Sequence, residues 1–564
     1  MKKEDSTVNH LEILKSSPAA QIGIGRENLL TKTTGKFYTP KFIGERLADT
    51  VLTLVSRIEN SEEISVIDPF CGDGRLIVWL LERAIIFPSL TEKLWRIEIW
   101  DCDEPAVKQA KQNIQQIANT IGIEIRINAL VHDSFAYTIS KFKHRLPFSK
   151  SQFDITITNP PWEVIKPDRR DIEVLDKQTE SIYIDSLKEF SKSLQENFPI
   201  SMPRKMFSGW GINLARVGLE VALHLTRKNG IIGIVSPASV LGDQNSESLR
   251  KYLLTKHSIK YVDCFPAEAR LFEGVDQSCI NMTIQANQSG QKTFIYKFDK
   301  DLRCVEYHQE LDLPETFLES NGYVIPLSSN KIQLSHLLKF SKLSTLGDLQ
   351  GNDEGKLWTG RELDETGHTK YLSSDGNHPF LKGKMVKRLT QVSQPLVFIH
   401  PEKGPNIPPS VRYPRIVWRD VSRSTQKRRV QATIIPANWV TGNSLGVAHF
   451  RTNDISRLYT LLCIMSSIPF EFQVSSMLST SHISVGVLRK TRIPEITPEL
   501  TRKLLPLARL RLAGNVDAEN QIEIIVAQAY GLTSDDLSEI MQSFPKITLE
   551  ERQNLLNHQM WTES

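Results

Sequence analysis

Ile64-Ser65-Val66-Ile67-Asp68-Pro69-Phe70-Cys71-Gly72-Asp73-Gly74-Arg75-Leu76 is an apolar, β-branched run that meets an acidic, glycine-rich turn and then a helix-like pattern. A strand, a tight turn and a helix in this order commonly hold a nucleotide-like cofactor, because glycines let the backbone approach the ligand closely. Asp68 and Asp73 narrow the ligand. They would repel a pyrophosphate, whereas a cationic sulfonium carrying an amino-acid tail suits an acidic turn. Gly-x-Gly alone reads as an ordinary turn, but Asp-Pro-x-x-Gly-x-Gly directly after a strand is far more specific.

Two further strand-like segments end in acids. Trp95-Arg96-Ile97-Glu98-Ile99-Trp100 closes on Asp101-Cys102-Asp103, about thirty residues past the glycines, where an acid can bind both ribose hydroxyls. Ile123 to Val131 closes on His132-Asp133-Ser134-Phe135, so that Asp133 can accept from the adenine amino group of the cofactor and Phe135 can flank its ring. The next apolar run, Phe153-Asp154-Ile155-Thr156-Ile157-Thr158, ends in Asn159-Pro160-Pro161-Trp162. Ligands of open parallel sheets bind outside the carboxyl ends of the strands, and all four features fall there.

The Asn-Pro-Pro-Trp lip points to methylation of a flat, exocyclic amine. Two prolines fix φ and remove two backbone donors, which leaves a stiff lip whose polar groups are mainly acceptors. An adenine N6 amine is a poor nucleophile, since its lone pair is spread into the ring. If the Asn159 side-chain oxygen and the Pro160 carbonyl each accept one amine hydrogen, the nitrogen can pyramidalise toward an electrophile while Trp162 stacks on the base. Neither a covalent intermediate nor a metal is needed. A cytosine N4 amine could use the same acceptors.

Together these residues resemble the S-adenosylmethionine-dependent N6-adenine DNA methyltransferases of the γ class, in which the cofactor half precedes the catalytic half and a target recognition domain comes last. The resemblance begins at Gly35-Lys36-Phe37-Tyr38-Thr39-Pro40, similar to the family's first motif, whose Thr-Pro contacts the methionine end of the cofactor. It continues through the glycine turn, Asp101, Asp133 and the lip to Arg227-Lys228-Asn229-Gly230-Ile231-Ile232-Gly233-Ile234-Val235-Ser236-Pro237, and then to Leu271-Phe272-Glu273-Gly274-Val275 with Ser278 to Ile284. It covers roughly residues 35 to 290. It implies a cofactor site of Thr39, Pro40, Asp68, Phe70, Gly72, Gly74, Asp101, Cys102, Asp133 and Ser134, a catalytic lip of Asn159, Pro160, Pro161 and Trp162, and Phe272 packed against the extruded target base. Two features depart from the pattern. The lip ends in Trp rather than the commoner Tyr or Phe, and Glu163 to Trp210 reads as a long, charged insertion that closes over DNA. Pro167-Asp168 with Lys177 lacks the Glu-x-Lys spacing of a nuclease.

At 564 residues the chain is long enough for two or three domains with full cores. Its charge, 69 basic against 65 acidic residues, is only +4, so the sum alone does not establish a polyanion partner. No apolar run approaches the roughly eighteen residues of a membrane span, and Met1-Lys2-Lys3-Glu4-Asp5 lacks an apolar signal core; the expectation is a cytoplasmic protein. Cys71, Cys102, Cys264, Cys279, Cys304 and Cys463 are scattered without Cys-x-x-Cys pairs and read as buried thiols rather than zinc ligands or disulfides. None follows a proline, which excludes the Pro-Cys nucleophile of C5-cytosine methyltransferases.

Apolar spacing at Phe42, Ile43, Leu47, Val51, Leu52 and Val55 predicts a helix over 40–57. Strands alternating with helix-like segments such as Pro105 to Ile117 and Leu214 to Thr226 imply a parallel sheet covered on both faces. After about residue 300 short strands and Gly/Pro loops dominate, from Leu346 to Pro494. There Val411 to Val430 carries seven Arg or Lys against one Asp, with Tyr413 and Trp418 interleaved. Such a segment can contact phosphates and offer guanidinium forks to guanine edges. With Pro379 to Arg388 and Leu461 to Pro469 leading to Arg492-Ile493-Pro494, it looks like the target recognition domains attached to these methyltransferases. The expected DNA contacts are Lys384, Arg412, Arg415, Arg419, Arg423 and Arg428. In the tail, Ala518 to Tyr530 has helical spacing, and Thr533 with Asp536 resembles a capping box.

The expected fold is α/β: a Rossmann-like methyltransferase sheet with helices on both faces, plus a C-terminal α+β target recognition domain. The expected boundaries are an N-terminal arm at 1–34, a methyltransferase domain at 35–300, a linker at 301–345, a target recognition domain at 346–500 and a helical segment at 501–564. The expected activity is sequence-specific methyl transfer from S-adenosylmethionine to N6 of a flipped adenine in duplex DNA, as the modification enzyme of a restriction-modification or phage-defence system. N4-cytosine, RNA-base or protein-glutamine methylation, or a DNA-binding subunit active only with a partner, remain alternatives. A fused nuclease would need well over a hundred residues before the first motif, so a separate restriction endonuclease or defence-complex subunit is the expected second partner beside double-stranded DNA, with no membrane involved.

Overall fold

In the computed structural model, the run before the glycine turn is β1 (Glu63–Asp68), the third strand from one edge of a nine-stranded sheet. Residues 38–562 are described, apart from 59–61, 143–152, 168–171, 174, 204–205, 207–209, 273, 276, 289–292, 309–314, 327–330, 365–366, 368, 401–404, 424–425, 453 and 479–480. The expected arm and Gly35 to Phe37 lie outside these residues, as do Asp168 and Glu273.

From β1 the chain builds outward to β2 (Leu94–Asp101) and β3 (Ile125–Val131), each parallel to its neighbour. It then returns to the other side of β1 with β4 (Phe153–Thr158). A short antiparallel pair follows, β5 (Val164–Ile165) with β6 (Ile212–Asn213). β7 (Thr226–Pro237) extends the parallel run beside β4, and β9 (Cys279–Gln285) lies antiparallel between β7 and β8 (Ser258–Phe265). β10 (Phe294–Phe298) and β11 (Cys304–His308) complete the order β11-β10-β8-β9-β7-β4-β1-β2-β3. The direction of growth reverses between β1 and β4, and open sheets of this kind bind ligands at that switch.

Side chains alternate through the sheet as the period of two demands. Ile64 and Val66 join a core with Ile43, Leu47 and Val51 of α1 (Lys41–Ile58), Leu76 and Leu80 of α2 (Arg75–Ala84), and Ala110 and Ile114 of α3 (Glu104–Ile121). Ile67 and Trp100 point the other way, into a second core with Phe135 of α4 (Ser134–Phe142), Phe190 of α5 (Lys177–Asn197) and Val217 and Val221 of α6 (Leu214–Leu225). Burial on both faces explains why β1, β4 and β9 read as nearly continuous apolar runs.

The segment expected as a loop-like insertion at 163–210 contains α5, whose Tyr183, Leu187, Phe190 and Leu194 are buried at helical spacing. Asp176 caps it by accepting from Gln178 and Thr179 N–H. Nor is 301–345 a plain linker. β11 belongs to the large sheet, and two helices, α7 (Glu315–Ser320) and α8 (Lys331–Phe340), follow.

The chain divides into two units, Met1–Pro314 with Gly322–Val324 and Glu315–Asn321 with Ile325–Ser564. The second is α+β. One antiparallel sheet runs β12 (Leu357–Gly360), β19 (Leu445–Phe450), β16 (Arg415–Arg419), β17 (Ala432–Ile435). The other runs β13 (Leu372–Ser373), β15 (Phe398–Ile399), β14 (His378–Leu381), β18 (Val440–Thr441). Residues 501–564 form helices of this same unit: Arg428 reaches Glu523, and Arg388 pairs with Glu519. No single helix among the described residues is long and apolar enough to cross a membrane; the apolar pair Ile455–Met465 and Ile468–Met477 is bent by 62° and largely buried.

Candidate active site

The turn after β1 is held by the acid after β2. Gly72 N–H donates to Asp101 Oδ2 at 2.9 Å, Asp103 N–H donates to Asp101 Oδ1 at 2.9 Å, and Cys71 N–H donates to the Trp100 carbonyl at 2.9 Å. Gly74 opens α2 at φ 79°. A Cβ there would lie 2.9 Å from the Ala110 Cβ of α3, so the position needs glycine for both its conformation and its space. Cys102 is half-buried beside Asp101.

Asp68 is fully buried at the end of β1. Its Oδ1 accepts from Thr158 Oγ1 at 2.7 Å and from Phe70 N–H at 3.1 Å, while its Oδ2 is buried with no hydrogen-bond partner among the described residues. Burial pushes the carboxyl up to about 7, with Asp101 and Asp73 adding to the rise and the two hydrogen bonds opposing it. After β3, Asp133 Oδ1 accepts from Phe135 and Ala136 N–H at 2.9 and 3.2 Å, and Ser134 Oγ donates to the Pro69 carbonyl. Phe70 and Phe135 rings meet at 5.1 Å, and Phe135 is 3% exposed. Phe135 is thus a core ring beneath the turn as well as a neighbour of the site.

The lip follows β4 directly. Asn159 Nδ2 donates to Thr39 Oγ1 at 3.1 Å, and Asn159 Oδ1 accepts from the Trp162 indole N–H at 3.0 Å. This links the first motif to the lip across 120 residues. Pro160 rests on α6 at Gly218, where a Cβ would fall 2.2 Å from the Pro160 Cβ. Asn213 caps α6 with its side-chain oxygen and donates from Nδ2 to the Trp162 carbonyl at 3.3 Å. The rings of Trp162 and Phe272 meet edge to face at 4.7 Å, both buried. The two side chains expected to grip a base are therefore adjacent, but in contact with each other. Pro40 begins the first turn of α1, its carbonyl accepting from Gly44 N–H at 3.1 Å, and Pro161 is half-buried.

Sequence reasoning missed Arg75. Its guanidinium donates to Asp73 at 2.9 and 2.7 Å and to the Thr39 carbonyl at 3.1 Å, and lies 4.4 Å from the Tyr38 ring centroid. It neutralises Asp73, so the charge that argued against a phosphate resides chiefly in Asp68 and Asp101. An arginine two residues after an acid was the available signal. Glu163, next to the lip, is a second omission, with burial pushing its carboxyl up to about 7.

In the second unit the basic run is not one exposed face. Arg415 and Glu362 have fully buried side chains paired at 2.8 Å, with Ser410 and Thr441 completing the carboxylate's hydrogen bonds. Arg428 is buried between Glu471 at 2.7 Å and Glu523 at 2.9 Å. Neither guanidinium is at the surface to meet a phosphate, which corrects the expectation for both. Lys384, Arg412 and Arg423 are exposed. Arg419 is half-buried and donates to the Val386 and Lys384 carbonyls at 2.7 and 2.9 Å. Unforeseen is a surface pair held by one buried acid: Asp420 accepts from Arg361 and from His482, whose side chains are 43% and 58% exposed. His336, Asp536 and Glu539 lie close enough to surround an ion. However, His336 Nε2 bonds Glu539 at 2.6 Å and Lys339 donates to Asp536 at 2.9 Å, so both carboxylates are already engaged.

This architecture has relatives. Residues 74–272, from the second glycine of the turn to the ring opposite Trp162, match the family described as Eco57I restriction-modification methylase. The chain carries a restriction-modification methylase domain. A type II methyltransferase of Bacillus subtilis, M.BsuBI, is 20% identical over 536 residues, covering 88% of this chain and 95% of that protein. Among solved structures, the type IIL restriction-modification enzyme MmeI in complex with DNA aligns over 99% of this chain and 80% of its own, with a TM-score of 0.50 at 12% identity. The DrdV–DNA complex aligns over 89% of this chain with a TM-score of 0.51 at 10% identity, and this chain spans 60% of it. At such identities the structures share the methylase domain's fold.

Proposed function

We propose that the chain is a site-specific DNA methyltransferase that moves a methyl group from S-adenosylmethionine to N6 of an adenine flipped out of duplex DNA. The observation that carries this reading is the convergence of Asp68, the Gly72–Gly74 turn, Asp101 and Asn159 at the ends of β1, β2 and β4, beside the sheet's switch point.

The cofactor fits the residues present. The partnerless Asp68 Oδ2 suits a cation rather than a phosphate, and Asp101, which accepts from the Gly72 and Asp103 N–H groups, closes β2 where an acid can meet a ribose. Asp101 would hold the ribose, Asp68 and the Gly72–Gly74 turn the cationic tail, and Asp133 and Ser134 the adenine end. When bound, S-adenosylmethionine supplies an electrophilic methyl group.

The chain's own residues supply positioning. Asn159 Oδ1 and the Pro160 carbonyl accept the amine hydrogens and turn the nitrogen's lone pair toward the methyl. Gly218 lets α6 support Pro160 from behind. Trp162 and Phe272 part to admit the base and then flank it, and a base reaches them only outside the duplex stack. In the second unit Lys384, Arg412 and Arg423 contact phosphates, while Arg361 and His482 present donors to base edges.

The reading is tested by incubating purified protein with tritiated S-adenosylmethionine and mixed-sequence duplex DNA, followed by nucleoside mass spectrometry. Labelled N6-methyladenine is expected. N4-methylcytosine alone would reassign the base, and an absence of label in DNA would reject the substrate.

A further inference from the structure

Arg361 and Arg415 are both paired with a carboxylate, and the two pairs leave their guanidinium groups in opposite states. Arg415 is completely buried and commits Nε, Nη1 and Nη2 to Glu362 and to backbone carbonyls. Arg361 directly follows β12 and donates to Asp420 through Nη2 alone. Its Nε and Nη1 take no hydrogen bond among the described residues, and its side chain is 43% exposed. Asp420 is 6% exposed and held by its own main chain: its N–H donates to the Ser444 carbonyl at 3.0 Å, and its carbonyl accepts from Ile483 N–H at 2.6 Å. Its second oxygen takes His482 Nδ1 at 2.8 Å. A fixed acid therefore fixes an exposed arginine. An exposed ion pair adds little to stability, so what the contact secures is the direction of a guanidinium that a solvated arginine would turn freely.

We infer that Arg361 reads a guanine of the recognition sequence and that Asp420 is the residue that positions it. This deepens the reading of the second unit as the part that meets DNA, and rests on it. Three properties of the pair select the ligand. The carboxylate offsets the arginine's charge and repels a phosphate, whereas a neutral base edge asks for aimed donors rather than net charge. With one Nη2 hydrogen given to Asp420, the other Nη2 hydrogen, Nη1 and Nε remain as donors. Two of them form a fork that matches guanine O6 and N7 in the major groove, while adenine sets an N6 donor against it. Val421, next to Asp420 in the chain and bridged to His482, is 50% exposed, an apolar surface that suits base edges better than phosphates.

The test gives the purified chain a random duplex library, once for selection by binding and once for methylation with S-adenosylmethionine. Both are repeated with Arg361→Ala, Arg361→Lys and Asp420→Asn, alongside thermal midpoints. The wild type is expected to fix a G·C pair whose preference Arg361→Ala relaxes about ten-fold or more, with the other positions unchanged. Arg361→Lys keeps the charge and loses the fork, so it is expected not to restore the preference. Asp420→Asn is expected to relax the same pair by a smaller factor, and the thermal midpoints to move by only a few degrees. If Arg361→Ala fails to fold, Arg361→Lys carries the comparison. A wild-type sequence without a fixed G·C pair, a fixed pair that survives both Arg361 changes, or a weakening spread evenly over all sequences would overturn the inference and leave the methyl-transfer reading standing. Selection of a sequence that is never methylated overturns that reading instead, and a wild-type chain that neither selects nor methylates DNA overturns both.

Discussion

The Asp68 carboxyl ends β1 with one oxygen bonded to Thr158 and the Phe70 amide and the other buried alone among the described residues. Burial raises it from 3.8 to about 7. An acid raised in this way keeps a proton in the folded chain that the unfolded chain releases, so its contribution to stability is full below its ordinary value and is lost as pH climbs through about 7. A bound cation favours the carboxylate and reverses that balance. Cofactor affinity is therefore expected to rise with pH by up to about ten-fold per unit below pH 7 and then level off, and Asp68→Asn should flatten the curve. Calorimetric titrations from about pH 5.5 to 8.5 check this, and a pH-independent wild-type affinity would detach Asp68 from the cofactor. Gly218 makes a second prediction. With 2.2 Å between its would-be Cβ and Pro160, Gly218→Ala must push the lip away from α6. It is expected to cut methyl transfer at least about ten-fold, a barrier increase near 1.4 kcal/mol, with cofactor affinity preserved; unchanged kcat would show that the lip does not rely on the helix behind it.

Among the elements, the Arg415–Glu362 pair decides what the basic run of β16 does. Both side chains are completely buried, and removing one partner strands the other charge in the interior. Arg415→Ala is expected to destabilise the second unit by about 3–5 kcal/mol, measured by chemical denaturation; a stable variant with weakened DNA binding would instead return Arg415 to the surface. The sequence made this run look like a DNA face because the residues that bury it are distant in the chain: Glu362 for Arg415, and Glu471 and Glu523 for Arg428. Local charge reports composition, not partners. The parallel strands of the first unit were legible for the opposite reason, since each is a short apolar run closed by the acid or asparagine that forms the site. α5 was hidden by its own solvent face. Its Lys, Glu and Asp residues read as an insertion, although Tyr183, Leu187, Phe190 and Leu194 carry a helical period. Arg75, too, was visible as a residue but not as a partner, because its contacts with Thr39 and Tyr38 come from far upstream in the chain.

For the molecule as a whole, the chain carries a methylase domain and a second unit proposed to meet DNA. With Arg415 and Arg428 committed to buried carboxylates, phosphate contacts fall to exposed cations. Replacing Lys384, Arg412 or Arg423 by Ala is expected to weaken binding to all sequences alike and to reduce the slope of log affinity against log salt by up to about one per residue. Fluorescence anisotropy over a salt series measures this; an unaltered slope in all three would place the interface elsewhere. Asp420→Asn should instead loosen Arg361 and His482 and blur the preferred site with a smaller change in slope. The central claim is that Asn159 presents its oxygen to an adenine amine in DNA, and long-read sequencing of genomic DNA from cells expressing the chain tests it most directly. N6-methyladenine is expected at one recurring sequence in the wild type and nowhere with Asn159→Ala. Methylation that survives the Asn159→Ala change, or wild-type cells whose DNA carries no modified amine, would contradict it.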